Sequence, residues 1–75
     1  MAPEPEPPEV KEAVELFDEK TRFIVTHFAD GYTSICGTVK DKPIDCYTTS
    51  DPDKKVFFIM QSWFADLGLH VKKLE

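Results

Sequence analysis

The sequence predicts an α+β domain, an αβββα order in which a three-stranded antiparallel meander is packed by a long C-terminal amphipathic helix and a shorter N-terminal helix. Three observations carry this expectation. Apolar residues recur at helical spacing between Val56 and Leu67. Arg22–Phe28 is crowded with β-branched and aromatic residues, which suit a pleated surface. Asp30-Gly31 then stands before a second strand-like run, and such a pair favours a hairpin because glycine accepts positive φ.

The elements follow in order. Residues 1–8, Met1-Ala2-Pro3-Glu4-Pro5-Glu6-Pro7-Pro8, alternate proline and glutamate and read as an extended, self-repelling, disordered tail. Residues 9–75 read as one small domain. Helix one is expected from Pro8 to about Lys20, with Val10, Ala13, Val14 and Phe17 at i, i+3, i+4 and i+7. Strand one spans Thr21–Phe28 and strand two Tyr32–Lys40. Asp41-Lys42-Pro43 turns the chain into strand three, Ile44–Thr49. Helix two is introduced by cap candidates in Ser50-Asp51-Pro52-Asp53. Its expected buried face is Val56, Ile59, Met60, Trp63, Phe64 and Leu67, worth on the order of 10 kcal/mol. On this reading Trp63→Ala unfolds the domain. Gly68 serves as the left-handed stop and Leu69 as the apolar residue folding back. His70–Leu74 reads either as a short final edge strand or as a frayed end.

Composition narrows the function. With 14 acidic and 9 basic residues the net charge is −5, which argues against broad nucleic-acid or membrane-surface binding. The acidity gathers at the front of the chain, where Glu4, Glu6, Glu9, Glu12, Glu15, Asp18 and Glu19 face Lys11 alone. No run of apolar residues is long enough for a membrane-spanning helix. The start lacks the basic and apolar regions of a signal peptide, so cytoplasm or nucleus is the expected location. Cys36 and Cys46 are read as reduced thiols behaving as small apolar residues, with a disulfide, a redox pair or half a metal site as rivals. Whether they face each other depends on the hairpin register. Cys36, Cys46, His27 and His70 total four metal-ligand types, at spacings unlike a compact zinc site, so no metal is assigned. No nucleophile elbow, phosphate loop or metalloprotease motif is present, so no catalytic residue, cofactor or small-molecule substrate is assigned.

The candidate partner-binding residues are Phe57 and Phe58, an aromatic shoulder on helix two, with Tyr32 and Tyr47 among those that, depending on strand phase, fall on a half-polar sheet face, the others being Arg22, Thr26, Ser34 and Thr48. The bland alternatives are that helix one covers the shoulder and that the sheet face is simply solvated.

Several local runs resemble the nine-kilodalton subunit of the signal recognition particle Alu domain. They are Lys20-Thr21-Arg22 opening a strand, Asp30-Gly31 in a hairpin, Val39-Lys40-Asp41 before a turn, Cys46-Tyr47-Thr48-Thr49 in a strand, and the helix start from Asp51 to Lys55. The resemblance covers residues 20–64 and implies an αβββα fold, a paralogous partner and an RNA-facing sheet. Independently of the resemblance, an RNA-binding reading would use the basic residues Arg22, Lys40, Lys42, Lys54 and Lys55, with Lys72 and Lys73. The basic strands of that family are not matched here, since Phe23–Phe28 holds no lysine or arginine. The double-stranded-RNA-binding domain is similar in element order, and the pattern from Cys46 to Leu69 resembles the C-terminal domain of Obg-type GTPases.

The function expected is a non-catalytic binding module. It would be a small subunit or adaptor that docks a protein, as hetero- or homodimer, through its sheet face, sheet edge or helix shoulder. RNA binding, an acidic decoy of a basic surface and a thiol switch are the alternatives.

Overall fold

A computed structural model describes residues 9–74. The predicted tail at residues 1–8 lies outside them, as does Glu75. The element order is β1 (Val10–Phe17), β2 (Thr21–Phe28), β3 (Tyr32–Val39), β4 (Lys42–Ser50), α1 (Lys55–Asp66) and β5 (His70–Leu74). The strands form one antiparallel sheet in the order β4-β3-β2-β1-β5. The fold is therefore a five-stranded sheet with one helix among the described residues, not a three-stranded meander with two helices. The αβββα order on which the family resemblance was drawn is not the order of this chain.

The N-terminal correction turns on Leu16. Val10, Ala13, Val14 and Phe17 suit a helix, but that stripe omits Leu16. In a strand, Val14 and Leu16 share one face, and both are buried there, Leu16 fully. The other face carries Ala13, Glu15 and Phe17. Pairing β1 to β2 on one side and β5 on the other satisfies backbone groups that an isolated short helix would hold only locally. His70–Leu74 is thereby an edge strand.

Three tight turns set the registers. After β1, the backbone N–H groups of Lys20 and Thr21 donate to Asp18 Oδ1 at 2.9 and 2.7 Å. Gly31, at φ 88°, closes the β2–β3 turn. Lys40 and Asp41 both take positive φ, 52° and 66°, so the β3–β4 turn is a two-residue hairpin loop. It falls one residue earlier than the sequence reading placed it, and Pro43 joins β4, where an edge strand tolerates it.

One irregularity in β4 has large consequences. Gly37 pairs with Ile44 but Ile35 pairs with Tyr47, so Asp45 and Cys46 together oppose Cys36. The extra residue brings Cys46 level with Cys36, and the two are joined by a disulfide. The reduced-thiol expectation is overturned, because the bulge that aligns the pair leaves no mark in the spacing of ten.

The helix covers β2, β1 and β5. Its inward residues are Phe57, Met60 and Phe64, packed on Val14, Leu16, Phe23 and Val25, with Phe23 and Phe64 stacked at 4.7 Å. Gly68 at φ 94° ends the helix, and Leu69 folds back with its N–H on the Phe64 carbonyl at 3.0 Å. The expected buried face is thus rotated. Trp63 is 64% exposed, Leu67 76% and Ile59 44%, whereas Phe57 is 1%. Apolar side chains surround more than half of this helix, so their spacing alone does not say which of them meets the sheet.

Candidate docking surface

Residues paired across neighbouring strands share a face of the sheet. The register therefore traces a row Val14–Val25–Ile35–Tyr47 from β1 to β4. Exposure along it runs 6%, 0%, 8% and then 65%. The next row, Leu16–Phe23–Gly37–Ile44, rises in the same way to 38% at Ile44. Both rows lie on the helix-bearing face and run out from under the helix at β4.

The helix flank completes the shape. Phe58 and Gln61 border a cleft of about 370 Å³ with Val71 and Lys73, on the β5 side. Leu67 and Phe64 border another, of about 300 Å³, with Phe23 and Val39, on the β3 side. At 100° per residue, Val56, Ile59, Met60 and Trp63 lie round the helix toward Leu67. The result is an open trough. Its wall is that flank, and its floor is Ile35, Val39, Ile44 and Tyr47. None of these side chains is charged. Trp63, Leu67, Tyr47, Ile59 and Ile44 together leave on the order of 500 Å² uncovered, at the upper end of what a monomer normally exposes in one patch.

The wall is anchored by a buried polar chain at the helix start. Asp51, 3% exposed, accepts the backbone N–H groups of Val56 and Phe57 at 3.0 and 2.9 Å, so its carboxylate caps the helix from outside the first turn. The Thr33 hydroxyl donates to Asp51 Oδ2 at 2.7 Å, and His27 Nδ1 lies 3.0 Å from the same hydroxyl. Thr33 has one proton to give, and Asp51 takes it, so the proton on the His27–Thr33 bond belongs to His27 Nδ1. Burial pushes the Asp51 carboxyl up, but the Thr33 hydroxyl and the backbone N–H groups of Val56, Phe57 and Lys55 outweigh it and hold it below its ordinary value. A hydroxyl nucleophile would hand its proton to histidine. Here it goes to a capping carboxylate, and Thr33 is 1% exposed. His27, Thr33 and Asp51 together form a helix anchor.

The predicted site residues are dispersed. Phe57 is in the core, so it offers no docking surface. Phe58 is 58% exposed on the β5 side of the helix, away from the trough. Tyr32 lies on the opposite sheet face, level with Ser50. Tyr47 lies in the trough. Arg22 pairs with Glu15 at 3.5 Å and Lys54 with Glu12 at 3.5 Å. Lys40 and Lys42 sit at one end of β4, and Lys54 and Lys55 beyond the other. Sequence reasoning missed Ile44, Ile59, Trp63 and Leu67 as surface, having assigned the last three to the core. The signal was present in the surplus of apolar positions round the helix. Among the described residues, no three His, Cys, Asp or Glu side chains gather as a metal site.

No protein-family model, curated protein sequence or solved structure matches the chain.

Proposed function

We propose that the protein is a binding module that docks a helical protein segment in the trough between α1 and the β3–β4 floor. One observation carries this reading: rows of side chains that are core beneath α1 continue, uncharged and bare, to Ile44 and Tyr47. Apolar surface of this extent, with a wall at its side, suits a helix laid in a groove. The uncovered edge of β4 lies alongside and widens the contact. The Cys36–Cys46 bond argues for a compartment that keeps thiols oxidised, in place of the cytoplasm or nucleus.

RNA binding draws less support, because Arg22 and Lys54 are engaged with glutamates and the lysines divide between two ends of the sheet. The acidic decoy loses its helical front, since Glu12 and Glu15 fall on opposite faces of β1.

The test is site-specific photo-crosslinking. A crosslinker at Tyr47 should capture a polypeptide, and one at Thr26 on the opposite face should not. Absence of any crosslinked polypeptide from Tyr47, a second copy included, would remove the reading.

A further inference from the structure

We infer that the partner is a second copy of this chain, with the α1 of each copy laid in the trough of the other; this rests on the docking reading above. Strand spacing of about 4.8 Å puts the outer strands of a five-stranded sheet roughly 19 Å apart, whereas a helix is about 10 Å across. One helix therefore covers about two strands with their margins. Here it lies over β2, β1 and β5, and a slot of one helix's width remains over β3 and β4.

The wall of that slot is a helix flank, and the same flank is what a second copy has to offer. Val56, Met60, Trp63 and Leu67 follow a 4-3-4 spacing, the spacing of a two-helix seam. A dyad running along α1 sets the two helices side by side and parallel, so that Trp63 meets its own counterpart. The two sheets then close from opposite sides on the helix pair. A dyad perpendicular to the sheet would instead drive the two sheets into each other.

Charge supports this arrangement. A dyad along the helix keeps each residue at its own height. Leu67 and Phe64 lie level with Val39, and Val39 pairs with Lys42, so Lys42 closes the floor at the height of the helix end. Asp66 projects from the exposed back of that end of the helix. In the dimer the Asp66 of one copy lies over the Lys42 of the other, one opposite-charge pair in each trough, both at the C-terminal end of the helix pair. The area also suits. The roughly 500 Å² of exposed apolar side chain forms the centre of the about 800 Å² per partner that a stable interface buries.

Sedimentation equilibrium across a wide concentration range tests the proposal on the full chain, with far-ultraviolet circular dichroism as the check on folding. The wild type should be a concentration-dependent dimer. Trp63→Glu should remain folded and become monomeric. Asp66→Lys should weaken the dimer by about tenfold, and adding Lys42→Asp should restore it. A wild type that stays monomeric throughout, a dimer indifferent to Trp63→Glu, or a charge swap that restores nothing overturns the proposal. A monomer that still crosslinks a different polypeptide from Tyr47 overturns the second copy alone and leaves the docking reading standing.

Discussion

Asp51 and Phe57 show how single side chains hold this helix. Removing the Asp51 carboxylate leaves the N–H groups of Val56 and Phe57 without their acceptor and the Thr33 hydroxyl without its own. Asp51→Ala should therefore cost about 1–3 kcal/mol in urea unfolding. The pH dependence has a definite sign. The folded Asp51 carboxyl lies below its ordinary value of 3.8, so its contribution is complete above that value. It is lost as pH falls through the lower folded value. Asp18, lowered chiefly by the backbone N–H of Lys20, acts in the same direction. Urea midpoints should hold steady from neutral pH to about 5 and drop below 3.8, by less in Asp51→Ala than in wild type. Phe57, fully enclosed between His27, Phe58 and the core, should cost about 3–5 kcal/mol on truncation to alanine.

Among the elements, the β3–β4 hairpin depends most on its irregularities. The bulge at Asp45–Cys46 aligns the disulfide, which closes a loop of ten residues. Chain entropy gives such a link about 2–3 kcal/mol, so Cys46→Ser or added reductant should lower stability by that amount. Gly37 lies where a Cβ would run into the Arg22 carbonyl. Gly37→Ala should therefore weaken the β2–β3 pairing, seen as faster amide exchange in both strands. Legibility differs among the elements for physical reasons. Strands β2 and β3 were readable because β-branched residues and an Asp-Gly turn agree. The helix end was readable because Gly68 does what only glycine does cheaply. β1 was misread because Val10, Ala13, Val14 and Phe17 satisfy a helical period while Leu16, outside it, decides the matter through pairing with Phe23 on β2. Long-range pairing leaves no local trace.

For the whole molecule, the imbalance is between sheet width and helix number. Five strands present more apolar face than α1 covers, and α1 carries more apolar surface than the sheet receives. Both surpluses meet in the trough. The sequence contains them as a list of apolar residues, and that list was assigned to a core because a core was the only place the predicted fold offered. Tyr47 was singled out and lies on this surface. Trp63, Ile59 and Leu67 were not, since which side of a helix turns inward is decided by the sheet it meets.

Trp63 belongs to the surface of this molecule and Phe57 to its core. The direct measurement is equilibrium urea unfolding of Trp63→Glu beside Phe57→Ala, at dilution where association does not contribute. Trp63→Glu should stay within about 0.5 kcal/mol of wild type while Phe57→Ala loses several times more. A Trp63→Glu chain that fails to fold, with Phe57→Ala nearly unaffected, would contradict it.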